Sequence, residues 1–65
     1  MNLPDFILSL IGKTEKEAKD IANENGFLVR ISSKDGEYYV LTRDYKLDRI
    51  NLTLKNLIVT SATIG

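Results

Sequence analysis

No cysteine occurs in this chain of 65 residues, and that absence constrains the fold more than any residue that is present. A domain of this length buries only roughly 60% of the surface its unfolded chain exposes. Small domains commonly reinforce such a core with disulfides, and none can form here. Stability must come from close packing of the apolar residues, from a partner, or from both. The length accommodates one domain, residues 1–65. The apolar share of 43% is ordinary for a globular domain, so a single packed core is the expectation.

Histidine is missing as well. Without histidine and cysteine, neither a Ser-His-Asp triad nor a Cys-His pair can assemble. Zinc sites of the usual nitrogen and sulfur type are excluded for the same reason. Ser9, Ser32, Ser33 and Ser61 have no obvious base, and the glycines at 12, 26, 36 and 65 are too scattered for a phosphate loop. A chain this small also has little room for a substrate-sized pocket. The expectation is a protein that is not an enzyme and holds neither cofactor nor metal.

Charge narrows the partners. Nine basic residues balance nine acidic ones, so no global positive field gathers nucleic acid or an anionic membrane. Arg30, Lys34, Arg43, Lys46 and Arg49 lie near tyrosines in sequence, but Asp35, Glu37, Asp44 and Asp48 lie among them and repel phosphate. That set reads as a mixed solvated surface. The apolar stretch Phe6, Ile7, Leu8, Leu10, Ile11 is too short to span a bilayer, and no basic residue precedes it as in a secretory signal. The compartment stays unassigned: a cysteine-free chain is compatible with a reducing one, and a removed precursor segment leaves an extracellular one open.

Local patterns sketch an α+β domain. Residues 4–11 suit a short helix with Pro4 near its first turn. Its dense apolar residues are expected on the core, with self-association through this segment as the alternative. Thr14-Glu15-Lys16-Glu17 is a capping box, in which the Thr14 hydroxyl accepts from the Glu17 amide and the Glu17 carboxylate accepts from the Thr14 amide. Ala18, Ile21 and Ala22 then share one helix face, and Asn25-Gly26 supplies the stop. Residues 27–33 alternate as a strand, broken by Lys34-Asp35-Gly36. Residues 48–54 form another, with Ile50, Leu52 and Leu54 on one face and Arg49, Asn51 and Thr53 on the other. Lys55-Asn56 is the expected turn into a last strand over residues 57–64.

Residues 35–47 remain, and a connection of that length is usually functional or disordered. Tyr38, Tyr39, Val40, Leu41 and Tyr45 are too apolar for disorder. A short strand is expected within residues 38–41, and an exposed polar stretch over residues 42–46.

The order of residues along the chain adds a resemblance. Leu10-Ile11-Gly12-Lys13-Thr14 followed by Glu17-Ala18-Lys19 resembles the start of the potato inhibitor I family of serine protease inhibitors. Residues 42–52, Thr42-Arg43-Asp44-Tyr45-Lys46-Leu47-Asp48-Arg49-Ile50-Asn51-Leu52, resemble their reactive loop and the strand behind it, and Thr63-Ile64-Gly65 their end. The likeness is closer to a related bacterial and fungal group of small peptidase inhibitors. Its signature runs D-Y-R-x-D-R-hydrophobic-N, against Asp44-Tyr45-Lys46-Leu47-Asp48-Arg49-Ile50-Asn51 here. That group often has proline where Leu47 stands, and potato inhibitor I members often have a second arginine where Asn51 stands.

The resemblance implies one main helix packed on a small mixed sheet, with a long exposed reactive loop between two parallel strands. It implies substrate-like inhibition of a serine protease, trypsin-like or subtilisin-like, at the Arg43-Asp44 bond. Leu41, Thr42, Arg43, Asp44, Tyr45 and Lys46 would meet the protease, with Arg43 in its main pocket. Arg49 would reach under the loop to Asp44, and Asn51 would bond a loop carbonyl through its amide. Two alternatives stand beside this reading. One is a non-inhibitory interaction or oligomerisation module on the same fold, dependent on Phe6, Ile7 and Leu10. The other is a wall-fragment-binding PASTA repeat, which Leu3-Pro4-Asp5-Phe6 and the capped helix resemble as far as Ile31.

Overall fold

The computed structural model describes residues 3–39, 41, 42 and 44–65. Two helices are followed by four strands: α1 Leu3–Ser9, α2 Glu15–Glu24, β1 Leu28–Lys34, β2 Glu37–Tyr38, β3 Arg49–Lys55 and β4 Ile58–Ile64. The strands form one mixed sheet in the order β2-β1-β3-β4. The chain is therefore α+β, with helices on one side of a four-stranded sheet.

α2 begins where the capping box dictates. Thr14 has extended backbone, its hydroxyl accepts from the Glu17 amide at 3.2 Å, and the Glu17 carboxylate accepts from the Thr14 amide at 3.2 Å. Acidic residues in the first turn suit the positive end of the helix dipole, and the Thr14 amide, followed by the Thr14 hydroxyl, donates to the Glu17 carboxylate and holds it below its ordinary pKa. Ala18 and Ala22 face the sheet and are fully buried; their small side chains bring helix and sheet close together.

α1 occupies residues 3–9 rather than 4–11. Leu10 and Ile11 leave the helical pattern by donating to Ile7 and Leu8, three residues back. Gly12 then takes φ +92° and donates to Val59 at 2.8 Å, while Val59 donates to Lys13. Bonds to β4 at residues 12 and 13 thus separate the end of α1 from the start of α2. Phe6 and Leu10 are buried, and the Phe6 ring stacks on Phe27 with centroids 5.4 Å apart. The two outer residues of the apolar stretch, Leu8 and Ile11, are exposed.

β3 is the central strand of the molecule. Its Ile50, Leu52 and Leu54 point toward the helices and are 0–1% exposed, while Arg49, Asn51 and Thr53 line the opposite face. It pairs parallel with β1 in the register Leu28↔Arg49, Val29↔Ile50, Arg30↔Asn51 and Ile31↔Leu52. A bulge then shifts the register to Ser33↔Thr53 and buries Ser33. Ser32, at the bulge, turns its hydroxyl to the Leu52 carbonyl and the Thr53 hydroxyl.

Two tight turns sit at the same end of the sheet. Asp35-Gly36, at φ +52° and +84°, folds β2 back onto β1 immediately, so the short strand covers residues 37–38, and Tyr39 and Leu41 lie outside it. The β3–β4 turn falls on Asn56-Leu57, at φ +53° and +69°, one residue later than Lys55-Asn56. The Asp35 carboxylate accepts from the Asn56 amide at 2.7 Å and ties the turns together. The chain after β2 must then run the length of the sheet to begin β3 beside Leu28, because β1 and β3 are parallel.

Candidate functional site

The run between Tyr39 and Asp48 carries the residues singled out from sequence, and the helices lie on the other face of the sheet. Leu41, Thr42, Asp44, Tyr45 and Lys46 are all exposed. Val40 and Arg43 lie outside the described residues.

Beneath this run, β3 presents Arg49 on the face opposite Ile50, as alternation requires. Arg49 is only 8% exposed, and each of its three guanidinium nitrogens donates a hydrogen bond. Nη1 donates to the Asp44 carboxylate at 3.3 Å, and Nη2 to the Asp44 carbonyl at 2.9 Å. Nε and Nη2 donate to the main-chain oxygen of Gly65 at 2.9 and 2.6 Å. The expected Asp44–Arg49 contact is present, and Gly65 is a further anchor. The Gly65 amide in turn donates to the Arg49 carbonyl, so residue 65 is bound on both sides.

Asn51 takes a contact that sequence reading did not foresee. Its Oδ1 accepts from Nε of Arg30 at 2.8 Å. Arg30 is the direct neighbour of Asn51 in the parallel register and shares its face of the sheet. Nη1 of Arg30 reaches the Thr42 hydroxyl at 3.1 Å, and Nη2 approaches the Gly65 oxygen at 3.5 Å. The second guanidinium under the loop thus comes from β1, where the sequence motif did not look. Its only sequence signal is the alternation that puts Arg30 on the face away from Val29 and Ile31.

The loop residues on either side of position 43 are joined to each other. The Thr42 hydroxyl donates to the Asp44 carboxylate. That bond, ahead of the Asp44 backbone amide and the charge of Arg49, holds the Asp44 carboxyl below its ordinary pKa. The Tyr45 ring lies over Gly65: a Cβ at residue 65 would meet ring carbons at 3.4 Å and Asn51 Nδ2 at 3.2 Å. Gly65 has φ +146°, so its backbone conformation and its crowding both favour glycine.

Chemically, this is a scaffold for holding an extended segment still. Guanidinium donors, main-chain acceptors and one carboxylate form a connected network, and no buried side-chain nitrogen or oxygen among the described residues lacks a partner. Among the described residues no group of three or more His, Cys, Asp or Glu side chains could hold a metal. The two surface clefts found among them are lined elsewhere, around Lys19 and Lys34 and around Asp35 and Asn56. Compared with known proteins, the chain matches no protein-family model and no curated protein.

Proposed function

We propose that this protein is a substrate-like inhibitor of serine proteases and that residues 41–46 are its protease-binding loop. The observation that carries the reading is the tie across position 43. Thr42 and Asp44 bond to each other, and each is held from below by a guanidinium rooted in the sheet. A loop held this way loses little conformational entropy when it enters a protease cleft, which favours tight binding. It also resists the rearrangement that hydrolysis of its own peptide bond needs.

In this reading Arg43-Asp44 is the bond offered to the protease. Arg43 fills the main specificity pocket and pairs with a carboxylate there if the enzyme is trypsin-like. Leu41 and Thr42 occupy the preceding subsites and Tyr45 follows Asp44. The resemblance of residues 42–52 to the reactive loop of potato inhibitor I proteins supports the same assignment.

The test is residual activity of trypsin and of subtilisin titrated with the purified protein, beside Arg43→Ala. Stoichiometric loss of trypsin activity that disappears in the variant is the expected result. Loss confined to subtilisin keeps the mechanism and changes the target. Full activity of both enzymes at excess protein rejects these targets and favours a non-inhibitory binding module on the same fold.

A further inference from the structure

We propose that Arg30 is a positioning residue of the loop: it holds the Thr42 side of the Arg43-Asp44 bond while Arg49 holds the Asp44 side, and Asn51 sets its aim. The proposal rests on the inhibitor reading above and extends it to a strand that the loop motif does not reach.

The geometry argues for a dedicated role. Arg30 is half-buried, and its bonds go to the Asn51 amide oxygen, the Thr42 hydroxyl and a main-chain oxygen of Gly65. No Asp or Glu side chain among the described residues forms an ion pair with it, whereas Arg49 and Lys34 both have one. A guanidinium is a flat fork, and occupying Nε fixes the plane in which the other two nitrogens lie. The Asn51 bond at Nε therefore directs Nη1 to Thr42. Lysine has a single ammonium and cannot serve both partners with that geometry.

The division of labour matters for inhibition. When a protease serine attacks the Arg43 carbonyl, an acyl-enzyme forms and the Asp44 amine is freed. The peptide is remade when that amine attacks the acyl carbon and the serine leaves; hydrolysis instead consumes one water. The outcome depends on how well the freed amine stays in place relative to the acyl group. Thr42 and Arg30 lie on one side of that bond, while Asp44, Arg49, Asn51 and Gly65 lie on the other. The Arg30 bonds to Asn51 and Gly65 therefore cross the break and keep the two sides in register.

The test is a double-mutant cycle read by inhibition, with Arg30→Met, Thr42→Val and the pair together, and Arg30→Lys as a fourth variant. Charge-assisted hydrogen bonds of this kind correspond to a weakening of about 10- to 100-fold in inhibition constant for each single variant. The pair is expected to be no weaker than the worse single variant, and Arg30→Lys to behave like Arg30→Met. Backbone 15N relaxation of the Asp44 and Tyr45 amides in the free protein gives a second readout, with higher mobility expected in Arg30→Met. Unchanged inhibition in Arg30→Met, or losses that simply add in the pair, overturns the proposal. If the parent protein inhibits neither enzyme, trypsin and subtilisin are rejected as targets independently of Arg30. The relaxation data then decide the role of Arg30: raised mobility supports it and unchanged mobility overturns it.

Discussion

Asp44 is where the loop's geometry meets its electrostatics. It accepts from Thr42 through one carboxylate oxygen and from Arg49 through the other, and its carbonyl accepts from Arg49 as well. The carboxyl is held below its ordinary pKa, first by the Thr42 hydroxyl. For a carboxyl whose folded value is depressed, the contribution to loop order is fully present above the unfolded value. It is lost as pH falls through the lower folded one. Loop order, and inhibition if the proposed function holds, should therefore be flat from neutral pH down to the ordinary carboxylate range and decline only below it. An NMR titration of the Asp44 carboxyl carbon, beside the same residue in a short peptide of residues 39–48, checks this. The folded midpoint should lie lower than the peptide's, and coincident midpoints would reject the account. Arg49 should shift that midpoint upward when changed to methionine, because its charge and hydrogen bond both favour the ionised form.

At the scale of elements, α2 is the piece most openly written in the sequence, and its start is also a junction. Thr14 caps the helix, and its backbone bridges to Ile58 at the beginning of β4. Replacing it with alanine removes the capping oxygen and should cost about 1 kcal/mol. In a domain of this size that corresponds to roughly 4–8 °C in melting temperature, readable by circular dichroism. A change under about 1 °C would mean that Glu17 and solvent replace the cap. The cap was legible because its partners are three residues apart, and the faces of β3 because alternation is local. What alternation could not supply is register. The bulge that buries Ser33 follows from how β1 meets β3, not from the residues of β1 alone. The same holds for the site: Arg49 follows the loop in a recognisable motif, whereas Arg30 becomes Asn51's neighbour only through the parallel pairing of distant strands. The β3–β4 turn was displaced by one residue for a related reason. Leu57, at φ +69°, occupies a turn position that favours glycine or asparagine, so residue preference pointed one place earlier.

For the molecule as a whole, β3 couples the core to the loop. On one face it carries Ile50, Leu52 and Leu54 into a core completed by Phe6, Leu10, Ala18, Ala22 and Val59. On the other face it carries Arg49 and Asn51 under the loop. Leu52 is fully buried and is paired on both sides, with Ile31 in β1 and Ala62 in β4. Truncation to alanine should leave a cavity that strands on both flanks prevent from closing. Such substitutions cost about 2–5 kcal/mol. A single core in a disulfide-free chain of this size rarely supplies more than about 3–5 kcal/mol in total. Leu52→Ala should therefore bring the protein to the edge of unfolding at room temperature, with a urea midpoint near zero. Loop order, followed through the Asp44 and Tyr45 amides, should be lost along with the core, since Arg49 and Asn51 are held only as firmly as the strand that bears them. If the proposed function holds, saturating the variant with its target protease should recover part of the stability, because a partner that binds only the folded state stabilises it. A loss below about 1 kcal/mol in the urea experiment would show that the helices close over the gap and that β3 is not the member on which core and loop jointly depend.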